Sequence, residues 1–339
     1  MKAAILTGRH QVHIGTFPDP ELAPDSVRVS VAYCGLCGTD LHKYEGQSGS
    51  RPLKLPVPLG HEISGIVDAV GEQVTDFRPG DRVTVDPNWS CGRCSFCQEG
   101  LTHMCENSRG VVKGFADYVC APRENVYHLP DSLSLRDAAL TEPLSCCLHG
   151  MDLLDLHLGE TVVIIGMGAI GSMMLQLCRL ASAGTIIVIE TQEGKRETAL
   201  RLGATFFINP ATSEPVQALK ELHVSNVTKV LECVGLPATI STALNVAGKC
   251  ARVVLFGLGD PEKPVPFNQY AAITKELDIR TSFLNPHTTA RAIRLLAAGS
   301  LDADAIISHE MAPADLIPEL ADRIWSRQGK VIVKWKELE

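Results

Sequence analysis

The stretch "ETVVIIGMGAIGSMMLQLCRL", residues 160–180, most narrows what this chain can fold into. An apolar, β-branched run enters a turn of three glycines and leaves it in a helix-forming segment, the order strand, tight turn, helix. Gly166 permits the turn, Gly168 lets the backbone approach a pyrophosphate, and Gly171 lets helix and strand pack closely. With Ala169 and Ile170 they open a helix whose free N–H groups and partial positive charge favour an anion. The glycine spacing alone is weak; its surroundings make it specific. "TIIVIE", "TFFINP", "KVLECVG", "ARVVLFG" and "LDIRTSF" read as strands, and helical stretches such as "GKRETALRLG" and "PVQALKELH" fall between them. That rhythm predicts a doubly wound parallel α/β sheet. Glu190 ends the second strand, 19 residues beyond Gly171. A carboxylate there accepts from ribose hydroxyls and repels a 2′-phosphate. NAD is therefore expected over NADP, with Arg196 as the nearby group able to offset the preference.

The first third has a different texture. "KAAIL", "SVRVSVAYCG", "ISGIVDAVG", "DRVTVDP" and "FADYVCAP" are short β-branched runs separated by Gly, Pro and Asp, which predicts an antiparallel, partly barrel-like domain. "DSLSLRDAAL" then opens a helix, with Ser132 or Ser134 as its cap. The tail, from "TARAIRLLAAGSL" to "GKVIVKW", offers two helices and a final strand, and is expected to return to the first domain. A chain of 339 residues is too long for one ordinary core. The expected division is residues 1–148 for the β-rich domain, 149–284 for the nucleotide domain, and 285–339 for the return.

A net charge of −8 argues against a nucleic-acid partner. No run of about 18 apolar residues marks a membrane span. "MKAAILTGRHQVHIG" turns polar too early for a signal peptide, so a cytoplasmic location is expected. In that compartment the twelve cysteines read as thiols, ligands or catalytic groups rather than disulfides.

Four of them, Cys91, Cys94, Cys97 and Cys105, fall within fifteen positions. Their spacing can wrap four sulfurs around one tetrahedral ion, and a closed four-thiolate site suits structural zinc. Reduced thiols on a loop and an iron–sulfur cluster are the alternatives. The ferredoxin run would have a third gap of three and a following proline, whereas Cys105 comes after a gap of seven and is followed by Glu106. Elsewhere "CGLCGTDLH" (34–42), "GHE" (60–62) and "TEPLSC" (141–146) supply a thiol, an imidazole and carboxylates, candidate ligands for a second, open zinc site. Cys34, Cys146, Cys147 and His149 read as structural.

These motifs, with "GHEISGIVDAVGEQV", "PGDRV", "FADYV", "ECVG" and "GKVIVK", give a resemblance over essentially the whole chain. The chain resembles the zinc-dependent medium-chain alcohol dehydrogenases, in the polyol branch with sorbitol, butanediol and threonine dehydrogenases. The resemblance implies a GroES-like catalytic domain, its zinc lobe at 88–108, and a Rossmann cofactor domain. It implies two zinc ions per subunit. Cys37 and His61 would bind the catalytic ion, Glu62 would be its third ligand or an exchanging neighbour, and Glu142 would bind directly or through water. Asp40 would fix the tautomer of His61. Zinc would acidify a substrate hydroxyl so that hydride passes to NAD, and Thr39 and His42 would carry the proton to the surface. Further cofactor contacts are expected from Val234, Gly235, Phe256, Gly257 and Phe283. A homo-oligomer, tetramer or dimer, is implied. Lys43 and Leu284 stand where sorbitol dehydrogenases tend to carry an aromatic residue and an arginine. Lys43 thus opens the alternative of an anionic substrate, an aldonate or sugar phosphate, beside that of threonine or 2,3-butanediol.

Overall fold

The computed structural model describes residues 1–47 and 54–338. It divides into two compact units: Met1–Ser145 together with Asn285–Glu339, and Cys146–Leu284.

The long strand Ser26–Leu36 organises the first unit. It pairs antiparallel with Glu62–Val70 and with Lys330–Lys334, and its first half also pairs with Tyr118–Pro122. Its first half alternates as a half-buried strand must, whereas residues 31–36 are buried throughout. Val27, Val29 and Val31 are buried and join Val83, Val85, Phe115, Val331 and Val333 in one core, each burial stabilising by roughly 1.5–3 kcal/mol. Arg28 points the other way, paired with Asp68 and lying over the Tyr118 ring. Arg82–Val85 and Val126–His128 extend the sheet, and a smaller sheet holds Lys2–Gly8, Gln11–Thr16 and Val57–Pro58. Of the two cap candidates Ser134 caps: its Oγ accepts from Asp137 N at 3.0 Å, starting the helix Leu135–Ala138. The short strands Asn88–Trp89 and Arg109–Gly110 close the neck of the cysteine lobe.

The tail holds more than two helices and one strand. Ile307–Met311 forms a further strand, parallel to Lys330–Lys334. Only Ile307 and Met311 of its five residues are buried, so polar Ser308, His309 and Glu310 hide the strand period in the sequence. Where the tail begins, Asn285 donates to Asp86 and accepts from Asn88, at 3.0 and 2.8 Å, and Thr288 Oγ1 donates to the carbonyl of Ser145 at 2.7 Å.

The second unit is a six-stranded parallel sheet. Its order is Phe206–Ile208, Thr185–Ile189, Thr161–Ile165, Lys229–Glu232, Arg252–Leu255, Asp278–Thr281. Val163, Ile165, Ile187, Val230 and Val253 are buried in one core of this unit, which is why these strands read as unbroken apolar runs. The strand order reverses beside Thr161–Ile165, the place where such sheets take ligands at their carboxyl ends. No described helix is long and apolar enough to cross a membrane.

Candidate active site and metal centres

The end of Ser26–Leu36 and the start of Glu62–Val70 lie side by side, with Gly35 opposite Glu62. Cys37 leaves the first strand in an extended conformation and caps the helix Gly38–Tyr44, while His61 immediately precedes the second strand. This adjacency brings donor atoms of Cys37, His61 and Glu62 within 4.8 Å of one another. Zinc takes sulfur at about 2.3 Å and nitrogen or oxygen at about 2.0–2.2 Å, so these three donors fit one ion after small adjustments. Glu142, in the first turn of the helix Thr141–Leu154, is not part of that trio. Burial pushes its carboxyl up to about 7, with His61 opposing and Glu62 adding to the rise.

Asp40 secures the trio from behind. Its carboxylate accepts from the N–H of Cys37 at 3.2 Å and of Gly60 at 3.0 Å, and lies 3.8 Å from Nδ1 of His61. Burial alone would raise its pKa; the positive field of His61 outweighs that and holds it at about 2. Gly60 has φ +87°, and a Cβ there would meet the backbone N of Phe115 at 2.7 Å and the sulfur of Cys34 at 2.8 Å. A Cβ on Gly35 would collide with the carboxylate of Glu62.

Glu62 is fully buried, and both its oxygens lie 2.6 Å from Nζ of Lys330, which also donates to the carbonyl of Leu36 at 3.1 Å. Burial alone would lower the ammonium's pKa; the Glu62 charge reverses this and raises it. No sequence motif marks Lys330 for a role. Its only local signal is a lysine opening the otherwise apolar run "KVIV". No motif marks Gln47 either. Its Oε1 lies 2.6 Å from Nδ1 of His42; with the amide oxygen as acceptor, Nδ1 carries the hydrogen and Nε2 is left to accept a proton. Thr39 Oγ1 accepts from the thiol of Cys37 at 3.7 Å. Lys43 is half-buried in the last turn of the same helix, and its charge helps depress Asp40.

In the lobe, the sulfurs of Cys91, Cys94, Cys97 and Cys105 all lie within 4.8 Å of one another. The backbone N–H groups of Arg93 and Cys94 pull the Cys91 thiol down to about 6. Asn107 Nδ2 also donates to Cys91, at 3.6 Å, and Cys91 N donates to the sulfur of Cys105 at 3.3 Å. Desolvation, then its neighbours Cys94 and Cys105, pushes Cys97 up to about 11. N–H groups aimed at sulfur favour thiolates, and thiolates this close repel unless a cation sits among them. Four such donors fit a closed zinc site.

The second unit gathers the remaining expected residues at the carboxyl ends of successive parallel strands. Gly166 follows Thr161–Ile165 with φ +91°, and Gly168 caps the helix Ala169–Leu180, whose first residues are Ala169 and Ile170. A Cβ on Gly171 would strike the carbonyl of Gly166, whereas one on Gly168 would point into open space. That gap, beside free helix N–H groups, fits a pyrophosphate. Val234 and Gly235 follow Lys229–Glu232, where the fully buried Glu232 accepts from both their N–H groups. A Cβ on Gly257, after Arg252–Leu255 and Phe256, would collide with the N of Gly235. Phe283, beyond Asp278–Thr281, is exposed. Glu190 follows Thr185–Ile189, and its carboxylate accepts from the N–H of Met167 and of Gln192, each at 2.8 Å.

Comparison with known proteins places this arrangement. Residues 23–131 match the alcohol dehydrogenase GroES-like domain, and residues 169–298 match the zinc-binding dehydrogenase domain. Sorbitol dehydrogenase of Bacillus subtilis is 33% identical over 317 residues, 91% of this chain and 90% of that protein. L-idonate 5-dehydrogenase of Vitis vinifera is 31% identical, over 97% and 93% of the two chains. The crystal structure of a zinc-binding dehydrogenase from Sinorhizobium meliloti 1021 bound to NADP superposes with a TM-score of 0.93 at 36% identity, covering 98% of this chain and 99% of that one.

Proposed function

The chain belongs to the zinc-binding alcohol dehydrogenase family, and from that premise we propose that it oxidises a secondary hydroxyl of a polyol or sugar-derived substrate to a ketone, with NAD as hydride acceptor. The observation that carries the reading is one chain holding both the Cys37–His61–Glu62 trio and the glycine cradle at the sheet's switch point. Zinc at the trio supplies a Lewis acid that lowers the pKa of the substrate hydroxyl, and the oxidised nicotinamide supplies the hydride acceptor.

The chain's own residues do the rest. Cys37, His61 and Glu62 would hold the ion, and Glu142 is assigned as the site's auxiliary carboxylate. Asp40 orients His61 and fixes the Cys37 backbone. Thr39 would accept the hydroxyl proton as it releases its own, and that proton is passed on towards Nε2 of His42 while Gln47 holds Nδ1. In the lobe, Cys91, Cys94, Cys97 and Cys105 would hold a second, structural zinc. Gly166, Gly168 and Gly171 admit the pyrophosphate and Glu190 accepts from the adenosine ribose. Exposed Phe267, Tyr270 and Ile273, next in sequence to the edge strand Asp278–Thr281, support assembly with further copies of the chain; size-exclusion chromatography with light scattering checks this.

The test is metal analysis coupled to an activity screen over neutral polyols, aldonates, sugar phosphates, 2,3-butanediol and threonine. Two zinc ions per chain and NAD-linked turnover are expected. Cys37→Ser and His61→Ala should each leave one zinc and cut kcat/KM at least about a thousandfold; undiminished turnover in either rejects the assignment. A second reading, an anionic substrate, is favoured by the half-buried Lys43 in the helix that carries Thr39 and His42. Lys43→Ala should then lower kcat/KM on acidic sugar alcohols more than on neutral ones, and an equal fall on both removes that reading.

A further inference from the structure

The relative with NADP bound raises the question of what this chain does at the adenosine 2′ position. Arg196 is the first arginine after Glu190, five residues ahead of Arg201, and so the guanidinium nearest in sequence to that carboxylate for gripping a 2′-phosphate in two places. It is not free to do so. Its Nε forms a close ion pair with Glu193, its Nη1 donates to the carbonyl of Phe207 at 3.1 Å, and its guanidinium carbon lies 4.6 Å from the centre of the Phe207 ring. Glu193 is anchored in turn: its second oxygen accepts from Nδ2 of the buried Asn209 at 3.0 Å, and Asn209 is itself fixed by the N–H of Ala211. The other nearby cation, Lys195, has its pKa lowered by burial, with the charge of Glu190 opposing the fall.

We propose that Glu193 is a specificity-determining residue that latches Arg196 against Phe207 and so denies the 2′-phosphate of NADP its guanidinium partner. Glu190 repels the phosphate, and Glu193 withholds the group that would compensate. The latch is a short i,i+3 pair at the start of the helix Arg196–Arg201, so it forms with the turn itself.

The inference rests on the dinucleotide reading above, and a binding measurement separates the two. Nicotinamide fluorescence titrations on the zinc-loaded protein give Kd for NADH and NADPH. The unmodified protein should bind NADH at least about tenfold more tightly. Glu193→Ala should tighten NADPH about five- to tenfold while NADH changes less than about twofold. The gain should vanish in Glu193→Ala/Arg196→Ala, and Arg196→Ala alone should keep the original preference. The exposed positions allow each variant's folding to be confirmed by its melting temperature. An unchanged NADPH/NADH ratio in folded Glu193→Ala, a gain that survives the double change, or an unmodified protein that prefers NADPH overturns the latch alone. Failure of the unmodified protein to bind either nucleotide overturns the dinucleotide reading as well.

Discussion

Two donor clusters sit in the same unit and are built in opposite ways. The lobe draws four identical donors from fifteen consecutive positions, and its nearest helpers, the N–H groups of Arg93 and Cys94 and the amide of Asn107, come from that stretch or two residues beyond it. The trio draws three different donors from two strand ends, leans on Asp40 from the helix between them, and uses Lys330, 268 residues beyond Glu62. A closed site needs only a loop that folds around its ion. An open one must hold its donors against the pull of a missing fourth ligand, so rigid elements and buried charge take over.

Four experiments press on this contrast. The largest effect belongs to the lobe's own ion. Zinc-finger peptides gain about 10–16 kcal/mol from such ions, so Cys94→Ser should lose one of two zincs and make the stretch 95–104 protease-sensitive, with the catalytic zinc retained. Loss of both ions together would mean that the clusters are coupled. Next comes Lys330→Met. Removing the ammonium that contacts both oxygens of buried Glu62 should cost about 3–5 kcal/mol in urea unfolding, and Lys330→Arg should recover much of it. Asp40→Asn follows, weakening the catalytic zinc about 10–100-fold in competition with a chelator while the lobe ion is unaffected. Least is expected of Asn107→Ala, which removes an exposed donor to Cys91 and should change stability by no more than about 1 kcal/mol. A larger loss there would show that the lobe too depends on outer support.

The same contrast explains what could be read from the chain. Gly166, Gly168 and Gly171 declare themselves because strand, turn and helix are contiguous, and the four cysteines because their spacing alone encloses an ion. Cys37, His61 and Glu62 stand out only as short motifs, and it took the resemblance to join them. Lys330 is illegible because charge pairing across hundreds of residues leaves no local period. Ile307–Met311 is hidden for a related reason: a sheet neighbour, not an alternating pattern, makes it a strand. Arg196 was visible as a counterweight to Glu190, but its engagement with Glu193 and Phe207 depends on side-chain placement that spacing does not encode.

The Glu62–Lys330 pair also sets an order on biosynthesis. When Glu62 leaves the ribosome, its counter-ion is 268 residues from being translated, and the whole parallel sheet is made in between. Until then the nascent β-rich half can close over Glu62 only as a neutral acid or against another cation, so the ion pair itself forms after the intervening sheet has been synthesised.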